Sequence, residues 1–265
     1  MPIPPVHAFL DHARPIAMAH RGGATTPANI GLENTLRAFR TAARLGYRYL
    51  ETDVHVSRDG VLFAFHDDRL DRVTDRRGMV AELGAAEVGR ARIGGTEPIP
   101  TLAQLFEEFP TARINIDVKT DAAVEAVVAL VHATGTLDRV CLAAFSSRRV
   151  LRLRRLLGHR LATSMGSAEI AVLRAVPLAA ARRLVVRCGA ACVQVPHRVG
   201  PITVASDSFI EHCHEIGLQV HVWTIADPEE MRLLLDRGVD GLIADRIDLL
   251  KDVLLERGAW TECPT

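Results

Sequence analysis

Short apolar runs separated by longer stretches of helical period recur from Ile16 to Arg257, and this alternation constrains the chain more than any other feature. Runs apolar on both faces read as strands buried on both sides, the signature of a parallel sheet covered by helices. Strands are predicted at Ile16–His20, Arg48–His55, Val61–Phe65, Arg113–Val118, Val140–Ala144, Leu161–Ser164, Cys192–Val195, Gln219–Trp223 and Gly241–Ala244. Helices are predicted from Asn34 or Thr35 to Leu45, and at Thr101–Phe109, Ala122–Ala133, Arg148–Leu157, Ser206–Ile216, Pro228–Arg237 and Ile247–Arg257. Residues 68–100 are rich in Arg, Gly and Ala and weakly periodic, and read as an inserted excursion or lid. A closed barrel needs eight strands, so one of the nine candidates lies outside it or is not a strand. The link from Asp53 to Val61 is also too short for a crossover helix, which leaves the relation of those two strands open.

With 265 residues, 48% of them hydrophobic, the chain is long enough for a sizeable core, and α/β barrels of this length form one domain, here 1–265. The 32 basic and 32 acidic residues cancel, so no global field draws it to nucleic acid or to a membrane. Five cysteines, Cys141, Cys188, Cys192, Cys213 and Cys263, have no compact spacing and read as buried or idle thiols. The first fifteen residues lack a basic segment followed by an apolar one, and no apolar run is long enough to span a bilayer. A cytoplasmic protein without stable membrane insertion, acting on a small molecule, is expected.

In α/β barrels chemistry gathers at the carboxyl ends of the strands. There the sequence places His20-Arg21, Glu51-Thr52-Asp53, His66-Asp67-Asp68 and Asp117-Val118-Lys119. Side chains alternate along a strand, so Glu51 and Asp53 share a face, as do Asp117 and Lys119. Two carboxylates from one strand and one from a neighbour make an oxygen-rich site suited to Mg²⁺ or Ca²⁺. In the competing reading these acids pair with Arg21, Arg48 or Lys119. His20 and His66 are the acid/base candidates, because imidazole titrates near neutrality and each follows an apolar run beside a charged residue. Arg21 and Lys119 offer cationic donors to phosphate oxygens.

The order His20-Arg21-Gly22, Glu33-Asn34-Thr35, Glu51-Thr52-Asp53, Asp59-Gly60 and His66-Asp67 resembles the signature of the glycerophosphodiester phosphodiesterase family. Ile116-Asp117-Val118-Lys119, Val222-Trp223-Thr224 and Gly238 to Asp245 are similar to its later blocks, so the resemblance covers residues 15 to 250. It implies an α/β fold, a TIM (β/α)8 barrel with a small insertion after the third strand. It implies a divalent cation on Glu51, Asp53 and Asp117, with His20 and His66 as general base and acid. Arg21 and Lys119 would contact phosphate, Glu33 would support the first-strand site, and Trp223 would wall the glycerol part. Two departures stand out: Asp117 replaces the family's usual Glu, and five residues separate Pro27 from Glu33 where the family has Pro directly before Glu-Asn-Thr.

The implied reaction is metal-dependent hydrolysis of glycerophosphodiesters to glycerol 3-phosphate and an alcohol. A lysophospholipase D-like reaction on lysolipids would use the same residues, and the arginine-rich stretch Arg148 to Leu157 is the feature that favours a lipid surface. A barrel that only binds phosphodiesters should lack a histidine or an acid from this set. A Schiff-base aldolase would depend on Lys119, since Lys251 falls in the last helix.

Overall fold

In the computed structural model, which describes residues 7–176 and 189–261, eight parallel strands form the barrel. They are β1 (Ile16–His20), β2 (Tyr49–Val56), β3 (Arg113–Val118), β4 (Val140–Ala143), β5 (Ala162–Thr163), β6 (Cys192–Pro196), β7 (Gln219–Ile225) and β8 (Gly241–Ala244). Neighbours pair in chain order, and β1 also pairs β8. The seam between β5 and β6 closes through the parallel bridge Ser164–Cys192, with Met165 N–H donating to Cys192 O at 3.0 Å and Ala191 N–H to Thr163 O at 2.9 Å.

A helix follows each strand before the next: α1 (Leu36–Arg44), α2 (Leu102–Glu108), α3 (Ala123–Thr134), α4 (Ser147–Leu157), α5 (Ser167–Ala175), α6 (Asp207–His214), α7 (Pro228–Asp236) and α8 (Ile247–Glu256). Local chemistry sets several starts: Thr35, Thr101, Ser146, Ser206 and Asp227 each accept a backbone N–H of the first turn. No helix is predicted from the sequence where α5 stands. Its cap is Gly166, which offers no side-chain signal, and a Cβ there would lie 2.5 Å from Ser147 at the start of α4. Close helix approach therefore selects glycine where a serine or aspartate would have marked the boundary.

The ninth strand candidate lies outside the barrel. Leu62–Ala64 runs antiparallel to the end of β2, with Val54 opposite Ala64 and Val56 opposite Leu62. A tight turn at Ser57–Gly60, with Gly60 at φ 88°, makes this a hairpin, so no crossover is needed. His66 thus ends a return strand, not a barrel strand: Phe65 N–H donates to Asp53 O at 2.9 Å, which brings the chain back to the level of the mouth. Between there and α2 lie short helical turns and a two-stranded ribbon, Arg92–Ile93 with Glu97–Pro98. They enclose their own apolar cluster, including Phe63, Leu70, Val80 and Ile93.

The two-residue period fills the barrel in layers. Ile16, Met18, Tyr49, Cys141, Cys192 and Ile243 pack with Phe9 from the N-terminal turn, which stoppers the amino end of the strands. The Phe9 and Tyr49 rings meet edge to face at 5.2 Å, and Tyr49 Oη donates to Phe9 O at 2.7 Å. Above this plug sit polar Asn115, Gln194 and His221. Gln194 Nε2 donates to Asn115 Oδ1 at 2.9 Å, and Gly241 leaves room for the His221 ring, 2.9 Å from where a Cβ would stand. The opposite end of the barrel is open. Cys141, Cys192 and Cys213 are buried, while Cys188 and Cys263 lie outside the described residues.

Candidate active site

A cavity of about 490 Å³ opens at the carboxyl ends of the strands. His20, Arg21, Glu51, Asp53, His66, Asp117, Lys119 and Trp223 all line it. Glu33 supports it from behind, accepting from Arg21 Nη1 at 3.1 Å. Register explains the gathering: His20 lies opposite Glu51, Glu51 opposite Asn115, and Asp53 opposite Asp117.

The buried acids divide the available cations unequally. Asp53 receives Lys119 Nζ at 2.7 Å, Arg21 Nε at 3.0 Å and Asn34 Nδ2 at 3.3 Å. The Arg21 contact is an ion pair without an aligned N–H, for Nε has no hydrogen-bond partner. Burial pushes the Asp53 carboxyl up, but Lys119 and Arg21 outweigh it and hold the group below the usual range. Glu51, two residues earlier, has the Arg21 backbone N–H at 3.1 Å and the His20 ring at 3.8 Å. Burial there dominates, and Glu51 is pushed up to about 7. Asp117 also rises through burial despite Lys119 at 2.7 Å.

Lys119 bridges Asp53 and Asp117. Burial lowers its affinity for a proton, but the two carboxylates more than offset this and raise it, which keeps the amine an ammonium. A Schiff-base lysine needs the opposite shift, so the site does not suit aldolase chemistry. The pairing of acids with Arg21 and Lys119 is thus present, and no Arg48 pair to these acids forms among the described residues. Among the described residues no three His, Cys, Asp or Glu side chains form a cluster that could hold a metal ion as they stand.

The two histidines are oriented by different means. His20 Nδ1 lies 2.7 Å from Asp245 Oδ1. Burial lowers the His20 pKa, yet the charge of Glu51 and the hydrogen bond to Asp245 reverse this and raise it overall. His66 Nδ1 lies 2.6 Å from Asp67 Oδ1, and the ring is 36% exposed. Arg72 donates to Asp67 at 2.6 and 3.0 Å and to Glu33 at 2.7 and 3.0 Å.

Asp245, Asn34, Asp67 and Arg72 are the contributors that the sequence reading leaves without a role. Asp245 follows β8 directly, so the same strand-end rule that picks out His20 finds it. Asn34 stands at φ 59° and links Thr52 Oγ1, at 2.8 Å, to Asp53. Arg72 has no local signal at all.

The other half of the cavity is apolar. Phe145, Met165, Ile170, Val199, Val204 and Trp223 line it. The Phe145 and Trp223 rings meet at 5.8 Å, and Phe145 is 62% exposed at the rim.

Barrel hydrolases that act on anionic esters are the class this fold and this mouth define. A family model described as the glycerophosphoryl diester phosphodiesterase family matches residues 20–249. "Probable glycerophosphodiester phosphodiesterase 2" of Mycobacterium tuberculosis is 42% identical over 260 residues, covering 97% of each chain. A glycerophosphodiester phosphodiesterase crystal structure from Parabacteroides distasonis superposes with a TM-score of 0.75 at 20% identity, covering 93% of this chain and all of that one. A phosphodiesterase from Oleispira antarctica, solved with the product sn-glycerol-3-phosphate, gives 0.74 at 22% identity, covering 91% and 97%. The chain belongs to the glycerophosphoryl diester phosphodiesterase family, and its activity is that of a phosphoric diester hydrolase acting on glycerophosphodiesters.

Proposed function

We propose that this chain releases glycerol 3-phosphate and an alcohol from glycerophosphodiesters, using His20 and His66 for proton transfer and a divalent cation for charge neutralisation. The observation that carries the reading is the single cavity in which both imidazoles lie with the cations of Arg21 and Lys119 and the acids Glu51, Asp53 and Asp117. Arg21 and Lys119 bind the phosphodiester anion. One imidazole takes the proton of the nucleophile, a water or the neighbouring glycerol hydroxyl, and the other protonates the departing alkoxide. The Asp245 and Asp67 carboxylates each fix one ring nitrogen, which leaves the other for the substrate.

The donor set fits a hard cation in kind. Glu51, Asp53 and Asp117 are oxygen ligands on adjacent strands, and Glu51 is a buried acid with too little positive charge around it. Mg²⁺ or Ca²⁺ held by these three would stabilise charge on the phosphoryl oxygens. Asp53 and Asp117 would first have to leave Lys119, whose ammonium would then turn to the phosphate.

The test is glycerol 3-phosphate release from glycerophosphocholine, with and without chelator, by the wild type and by His20→Ala and His66→Ala. Turnover indifferent to chelation, or intact in either variant, overturns the reading. The apolar half of the cavity favours a second substrate class, lysolipids, cleaved by the same residues. The α4 arginines give it less support: Arg149 pairs with Asp121, Arg152 with Glu125, and buried Arg154 with Glu169. No helix among the described residues is long and apolar enough to cross a membrane. Comparing turnover of glycerophosphocholine with that of its long-chain monoacyl derivative separates the two classes.

A further inference from the structure

We infer that Arg72 is a positioning residue for this reaction: from the segment between β2 and α2 it holds Asp67 against His66 and Glu33 against Arg21. The inference rests on the roles proposed above for His66 and Arg21.

The geometry is a fork between two carboxylates. Arg72 Nε donates to Asp67 Oδ2 at 2.6 Å, and Nη2 to Asp67 Oδ1 at 3.0 Å. Nη2 also donates to Glu33 Oε1 at 2.7 Å, and Nη1 to Glu33 Oε2 at 3.0 Å. The two oxygens that share Nη2 are the ones that face the working groups. Asp67 Oδ1 is 2.6 Å from His66 Nδ1, and Glu33 Oε1 accepts from Arg21 Nη1 at 3.1 Å. One guanidinium therefore links an acid/base candidate to a phosphate-binding candidate. A planar group with five N–H donors fits two carboxylates in this way, whereas a lysine ammonium, a compact point charge, does not.

Asp67 must stay ionised to accept from His66. The hydrogen bond from Arg72 is the largest cause of its depressed pKa, about 2. An ionised carboxylate on Nδ1 fixes the neutral ring as the Nδ1–H tautomer, with the Nε2 lone pair free for a proton. A purely structural role is the rival account, in which Arg72 fastens the inserted segment to the barrel. That segment has other anchors: Leu70, Val80 and Ile93 share a buried cluster with Phe63 and Phe65 of the return strand, and Arg58 N–H donates to Leu83 O at 2.9 Å. Arg72 itself is 48% exposed.

The experiment uses the full chain with Mg²⁺ and Ca²⁺ supplied, and compares wild type, Arg72→Ala, Arg72→Lys and Asp67→Asn. Loss of an outer partner of this kind lowers activity by about 10- to 100-fold. The expected result is a kcat loss of that order in Arg72→Ala, no recovery in Arg72→Lys, and partial rescue of Arg72→Ala by added guanidinium. Imidazole ¹⁵N spectra should show neutral His66 as the Nδ1–H tautomer in the wild type and as a mixture in Arg72→Ala and Asp67→Asn. Retained kcat with an unchanged tautomer overturns the inference. So does an activity loss that guanidinium does not rescue and that leaves the tautomer unchanged, since that marks a fastening role. If the wild type cleaves no glycerophosphodiester, the proposed function fails, and the tautomer measurement still decides the link from Arg72 to His66.

Discussion

The mouth of the barrel is assembled from two regions built on different principles. Its barrel half (His20, Glu51, Asp53, Asp117, Lys119) is placed by strand register, and its acids are nearly buried, with only 3% of the Asp53 side chain exposed. Its hairpin half (His66, Asp67, Arg72) is placed by a return strand and a chain of ion pairs, and is open to solvent. In the barrel half, burial raises both acids and the unequal share of cations decides which one carries charge, as the contrast between Glu51 and Asp53 demonstrates. In the hairpin half, solvent screens every charge and direct hydrogen bonds dominate. Side chains that look equivalent from one half to the other should therefore respond differently to substitution.

The largest expected effects cut across both halves. Removing a general acid or base costs about 10²- to 10⁴-fold in rate. His20→Ala and His66→Ala should both fall in that range in kcat for glycerophosphocholine, with circular dichroism confirming the fold. An effect on one histidine only would mean that the two halves do not form one site. The partner acids sharpen the contrast. Asp245→Asn should lower kcat by about 10- to 100-fold, the usual cost of losing an outer carboxylate. Asp67→Asn should fall at the lower end of that range, because water substitutes for part of its role at an exposed ring. Parallel kcat measurements rank them, and a larger loss in Asp67→Asn reverses the proposed order.

The acid that burial leaves exposed to protonation gives the next effect. Glu51 has a folded-state pKa of about 7, above its ordinary value of 4.5. A raised acid contributes stability that is complete below pH 4.5 and is lost as pH rises through about 7. Cation-free protein should therefore melt at progressively lower temperature between those limits, and Glu51→Gln should flatten that slope. Adding Ca²⁺ or Mg²⁺ should restore stability at pH 8 in the wild type and much less in the variant. Calorimetry across pH, with and without cation, measures this. A wild-type profile with no slope in that window refutes the account of Glu51 as a buried acid short of positive charge.

The same division separates what was legible in the sequence from what was not. Strand period places Glu51 with Asp53, and Asp117 with Lys119, because alternation needs no knowledge of neighbours. The barrel follows from the same pattern, and the ninth candidate strand, whose relation to β2 the short Asp53–Val61 link leaves open, resolves as the antiparallel arm of the hairpin. Asp245 obeys the strand-end rule as well as His20 does. Arg72 obeys no local rule: its partners, Asp67 and Glu33, are 5 and 39 residues away, and it reaches Glu33 only once the inserted segment has folded over the mouth. Lys119 could be placed beside Asp117 from spacing. Its contact with Asp53 comes from the pairing of β2 with β3.

The smallest effect tests the hairpin half by itself. Asp67 titrates at about 2 when folded, below the ordinary 3.8, and Arg72 is the leading cause. A depressed carboxyl contributes stability that is present above pH 3.8 and is lost as pH falls through about 2. Glu33 shifts in the same direction: burial raises it, but Arg72 and Arg21 outweigh that. Arg72→Gln removes these stabilising charges without touching the core. Partly exposed ion pairs contribute about 0.2–1 kcal/mol, or roughly 1–3 °C in a protein of this size. The variant should melt that much below the wild type at pH 5, and the gap should close as pH falls through about 2, where Asp67 takes up its proton in the wild type as well. High salt should narrow the gap at pH 5, because solvent reaches these groups. A gap of ten degrees, or one that does not narrow as pH falls from 5 through 2, would mean that Arg72 supports packing as well as charge, and would remove the distinction between a half built by burial and a half built by ion pairs.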